Sequence, residues 1–201
     1  VSWTESLGRI AAQLTSHRPS LYPTEELDDL ADLKISKLST DGFEGERRSF
    51  ALAVKAGLHL FNESLDHSHN LSQDIHTPEG SYWHALMHRM EGDYPNADYW
   101  FRMAGGHPAH QEWSDRIRER LAAFVWDDIG NPSFRAAFEQ WSADGRFEPA
   151  GFNRLIEMQV TRTRNERVEQ LLIELQWEEM RALLQHCYAL SGGGGDLFEP
   201  R

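Results

Sequence analysis

Apolar residues recur every three or four positions along nearly the whole of this 201-residue chain, and no stretch alternates apolar with polar side chains for the length of a strand. Trp3, Leu7, Ile10 and Leu14 form one such stripe, and Phe50, Val54, Leu58, Phe61 and Leu65 form a longer one. A chain written in this period buries its hydrophobic faces helix against helix. The pattern predicts an all-α, single-domain bundle of about eight helices. Residues 1–190 make up that domain, and the glycine-rich segment 191–201 reads as a flexible tail.

Charge narrows the partners. Twenty Lys and Arg against 32 Asp and Glu leave a net charge of -12, which repels phosphate backbones and anionic lipid surfaces. Neither nucleic acid nor membrane is an expected partner; a small-molecule substrate or ligand is, and the acidic faces leave room for a homodimer. The single cysteine, Cys187, rules out an internal disulfide framework and fits a cytoplasmic setting. No apolar run approaches the roughly 20 residues of a membrane span, and the first ten residues lack the pattern of a signal peptide.

Prolines and glycines punctuate the stripes. After Pro19 and Pro23, Thr24 is expected to restart a helix whose Leu27, Leu30 and Leu33 face inward. A long helix from about Arg47 either continues through His69 and Gln73 or ends near His67. Thr77-Pro78-Glu79 has the order of an N-cap, a first-turn proline and an acid suited to the helix dipole. Gly92 ends that helix, and Asp93 caps another that stops at Gly105-Gly106, giving a central helical hairpin. Its G-x-Y-x-x-A-x-x-W-F pattern resembles half of a tetratricopeptide repeat, without the period of about 34 residues that an array requires. Further helices are expected through Trp113 to Phe124 and ending by Gly130, after a Ser133 cap, through Phe152 to Met158, and from Asn165 to Leu190.

The hairpin carries the chemistry. Of ten histidines, six (His67, His69, His76, His84, His88 and His107) fall between positions 67 and 107. His84, His88 and Glu91, at i, i+4 and i+7, share one helix face and can offer two nitrogens and an oxygen to one divalent ion. His69 and His107 are placed to complete the shell from neighbouring segments. Gln73, Trp83, Asn96, Tyr99 and Trp100 are the expected substrate-binding residues, and Arg102 is expected to hold an anionic substrate group among the catalytic side chains. Arg89 and Asp93, at i, i+4, read as an ion pair. Ala85 stands where the H-E-x-x-H peptidases carry their glutamate, so that class is not indicated.

The run WHALMHRMEGDYPNADYWFRMAGGHP at 83–108, with FEPAGFNRLIEM at 147–158 and LQWEEMRALLQHCY at 175–188, resembles a family of uncharacterised bacterial and fungal proteins. The resemblance implies a shared fold and pocket and names no reaction. Asn153 and Arg154 depart from it, standing where the family pattern has an apolar residue and an acid.

Two functional readings follow. In one, the chain is a metal-dependent enzyme, hydrolase-like or lyase-like, in which zinc, iron or manganese at His84, His88 and Glu91 activates water or polarises a substrate oxygen. In the other, the same His, Glu and Trp side chains form a structural polar network in a non-catalytic ligand-binding or interaction module.

Overall fold

A computed structural model describes residues 2–124 and 131–198; the expected helix end at Gly130 lies outside them. All regular structure among these residues is helical: α1 (Trp3–Leu14), α2 (Asp29–Ser36), α3 (Gly45–Phe61), α4 (Leu65–Ser72), α5 (Pro78–Glu91), α6 (Tyr94–Ala104), α7 (Ala109–Ala122), α8 (Pro132–Ser142), α9 (Pro149–Met158) and α10 (Glu166–Leu190), with a π-helical turn after α9. The described residues thus form the all-α bundle that the pattern predicts, with ten α-helices where about eight are expected. No helix among them is long and apolar enough to cross a membrane.

The extra helix that matters most comes from a break in the long stripe. Neither expectation for it holds: α3 stops at Phe61, Glu63 takes a positive φ of 60°, and α4 restarts at Leu65 and carries His69. The break is held in place from outside. The Glu63 carboxylate accepts from the backbone of Ser20 at 2.8 Å and from His17 Nε2 at 2.7 Å, while Asn62 donates to the carbonyl of Asp28 at 2.9 Å.

Local signals set the hairpin. The Thr77 hydroxyl accepts from the backbone of Gly80, Pro78 occupies the first turn where no N–H is needed, and Gly92 takes the left-handed conformation at φ 86° that ends α5. The Asp93 carboxylate then accepts from the backbone of Asn96 at 3.2 Å and starts α6. α5 is central, packing against α3, α4 and α6, while α10 lies against α3 and α7. Gly57 permits the close approach of α3: a Cβ there would fall 2.5 Å from the Trp83 indole.

Buried polar bonds lock α5 to α10. The Arg89 guanidinium, fully buried, donates to Glu179 at 2.6 Å and to Gln176 at 3.3 Å, and the Tyr82 hydroxyl donates to the other Glu179 oxygen at 2.8 Å. The expected Arg89–Asp93 pair is therefore absent, because Arg89 faces the interior and Asp93 is a cap. Asn153, one of the two departures from the family pattern, is buried and ties α9 to α6 through the Tyr94 carbonyl and Asp98.

Three other expectations are corrected. α2 starts at an Asp28 cap rather than at Thr24 and buries Ala31, Asp32 and Ile35, leaving Leu27, Leu30 and Leu33 49%, 63% and 49% exposed. α8 is capped by Asn131 rather than Ser133, with Pro132 at its start. The tail up to Phe198 does not hang free: Asp196 pairs with Arg181, Gln185 bonds Gly195 and Leu197, and Phe198 packs on Trp177.

Candidate functional site

The two sides of α5 carry two different clusters. At about 100° per residue, Glu79 and Tyr82 lie about 140–160° round the helix from His84. His84, His88 and Glu91 share a side, as their spacing predicts.

On that side α4 brings His69 against α5. The His69 ring meets His84 and His88 edge-on, at centroid distances of 4.9 and 5.6 Å, and one ligand atom from each of the three residues lies within 4.8 Å of the others. His84 is only 4% exposed, and neither of its ring nitrogens has a hydrogen-bond partner. Burial, then His88, then His69, pushes its pKa down to about 4, so it is a neutral imidazole with a free lone pair at pH 7. Its ring is stacked between His88, at 4.6 Å, and Trp100, at 4.2 Å.

His88 is oriented from two directions. Its Nδ1 meets a Glu91 carboxylate oxygen at 2.5 Å, and the Asn96 amide approaches Nε2 at 3.1 Å. A carboxylate on Nδ1 places the ring proton there, the arrangement common for metal-ligating histidine, and leaves Nε2 to accept from the Asn96 amide, a bond that an ion at Nε2 would replace. Glu91 is 40% exposed, so the cluster is reached from solvent on that side. Asp93 lies within ligand distance of His88 and Glu91, but its carboxylate serves as the α6 cap.

Across the helix, Glu79 sits between His107 and His186, its Oε1 3.5 Å from the Nε2 of each. Burial alone would raise the Glu79 carboxyl; the two imidazoles, its own backbone N–H and Thr77 outweigh that and hold it well below the usual carboxylate range. His107 also meets the Tyr82 ring at 5.3 Å, and its Nδ1 accepts from the backbone of Ala109 at 3.2 Å. His110 completes the group beside Tyr82, its pKa pushed down to about 4 by burial and by His107.

The expected site residues divide accordingly. His69, His84, His88, Glu91, Asn96 and Trp100 come together, with the half-exposed Tyr99 edge-on to Trp100 at 5.3 Å. His107 belongs to the opposite cluster. Trp83 is fully buried against α3, where its indole neighbours the thiol of Cys187; burial pushes that thiol up and leaves it unreactive. Arg102 is exposed and lies about 160° round α6 from Trp100. Gln73 is exposed at the α4 C-cap.

Glu79, His186 and His110 were not singled out from sequence. Glu79 reads as an ordinary first-turn acid, and His186 is too far along the chain for any spacing rule to join it to His107. An Asp32–His59 contact at 2.7 Å, with Ser64 donating to the other Asp32 oxygen at 2.7 Å, was also missed. It flanks an acidic cleft of about 610 Å³ that includes Glu26, Asp29, Glu63 and Asp66. The hydroxyl is turned to the carboxylate and not to the imidazole, so this is not a nucleophile–base relay.

The chain matches no family model, no curated protein and no solved structure.

Proposed function

We propose that this chain is a small α-helical metal-dependent enzyme, hydrolase-like or lyase-like, in which His69, His84 and His88 hold a divalent ion and Glu91 orients His88. The observation that carries this reading is His84, buried with two unpartnered ring nitrogens beside two further imidazoles. A buried polar group left unpaired costs roughly 1–3 kcal/mol, which a bond to an ion offsets. An all-nitrogen donor set suits zinc or iron(II) better than manganese, and three protein ligands leave a position for water or a substrate oxygen. An ion there would lower the pKa of its water or polarise that oxygen.

The chain's own groups supply the rest. Glu91 holds the His88 proton on Nδ1, and Trp100, Tyr99 and Asn96 flank the open side as a wall for a small substrate. A cytoplasmic setting accords with the one buried, unreactive thiol.

A second reading has specific support in the Trp100–His84–His88 stack, which also describes a structural network in a ligand-binding or interaction module. Elemental analysis of tag-free protein beside a His84→Ala/His88→Ala variant separates the two. The enzyme reading expects near-stoichiometric metal at this cluster, so that the variant holds one equivalent fewer than wild type. Wild type that stays metal-free and resists loading leaves the structural reading standing.

A further inference from the structure

We infer that Glu79, His107 and His186 form a second divalent-cation site, separate from the histidine cluster across α5. The three come from three segments: the first turn of α5, the turn before α7, and the last third of α10. Glu79 Oε1 lies 3.5 Å from both Nε2 atoms. That is longer than the about 2.7–2.9 Å of a charge-assisted hydrogen bond. It is close to the edge of a zinc tetrahedron, since bonds of about 2.0–2.1 Å separate ligand atoms by about 3.3–3.4 Å.

Two further observations point to a ligand. The second Glu79 oxygen is buried without a partner, and so is His107 Nε2, in residues 6% and 3% exposed. The donor set of two imidazoles and one carboxylate is one that zinc takes at catalytic centres, with a fourth position open. The carboxylate cancels one of the ion's two charges, which lowers the cost of burying it. His186 is 24% exposed in its side chain and gives the ion a route in.

His107 sets the condition for loading. With Nδ1 accepting from Ala109, the proton of the neutral ring is on Nε2, facing Glu79. Coordination through Nε2 moves that proton to Nδ1, turns it toward the buried Ala109 N–H and gives up that hydrogen bond, a cost that the ion's bonds have to exceed. Glu79 and His186 are therefore the diagnostic positions, because His107→Ala would also remove a contact that helps start α7.

The test is titration of the metal-free full-length chain with zinc chloride by calorimetry, alongside the absorption spectrum of the cobalt(II)-loaded protein. Wild type should bind two equivalents. His186→Ala and Glu79→Gln should each bind one, with the lost site weakened beyond the roughly 10–100-fold that removing an outer partner costs. A His69→Ala/His84→Ala variant should keep this site, with a tetrahedral cobalt spectrum that adding His186→Ala to the same variant abolishes. The inference is overturned if His186→Ala and Glu79→Gln bind as many equivalents as wild type, or if His69→Ala/His84→Ala binds none. Loss of binding only in the latter variant leaves the histidine cluster intact as a proposal and removes this one.

Discussion

The two sides of α5 reach similar chemistry by different routes. His84, His88 and Glu91 are brought together by the helix repeat alone, with His69 added from the adjacent α4, and the cluster is centred on the buried, neutral imidazole of His84. Glu79 meets His107 and His186 only because the chain folds, and its cluster is organised about a carboxylate held in its charged form. The first side opens toward solvent at Glu91, whereas the second adjoins the buried Tyr82–Arg89–Glu179 bonds that fasten α5 to α10. The contrast separates a surface that the fold can spare from one that the fold needs.

The largest effect is expected from breaking the needed side. Arg89→Ala strands the Glu179 carboxylate in the core, and removal of one partner of a buried pair costs about 3–5 kcal/mol. Urea unfolding of this variant beside His84→Ala checks the asymmetry; equal losses would erase the distinction between the two sides.

Acid comes next. His84 and His110 titrate near 4 in the folded chain against 6.5 unfolded, so the unfolded chain takes up their protons first as pH falls. Their contribution is complete above pH 6.5 and is lost on the way down to 4. The lowered Glu79 carboxyl has the same sign, its contribution present above about 4.5 and lost below. Each histidine should contribute a fall of up to about 3 kcal/mol in unfolding free energy between pH 7 and 4. Replacing His84 and His110 with phenylalanine should flatten the upper part of that slope, and an unchanged slope would show that neither ring is held neutral.

These effects bear on what the sequence could reveal. The α5–α6 hairpin was legible to the residue at Thr77, Pro78, Gly92 and Asp93, because caps and breakers act within a few positions. The His84–His88–Glu91 face was legible for the same reason. Arg89 was misread: a local rule paired it with Asp93, while its partner Glu179 lies on another helix. Leu27, Leu30 and Leu33 were misread as inward because a spacing of three fits a helix wherever it points. Glu79 and His186 gave no signal, since tertiary packing alone unites them.

The smallest effect concerns the hairpin turn. Asp93→Ala removes the α6 cap and should cost about 1 kcal/mol. It should also loosen the Asn96 amide from His88, which the ring-proton shifts of His88 in NMR spectra would report. Unchanged shifts would mean that the turn does not position Asn96.

The central claim, that His69, His84 and His88 converge on one ion, is tested most directly by anomalous diffraction at the zinc edge from crystals grown with zinc. The account predicts a peak within about 2.0–2.1 Å of one nitrogen from each of the three rings. Zinc-grown crystals in which those rings remain stacked on one another and on Trp100, with no anomalous peak among them, would contradict it.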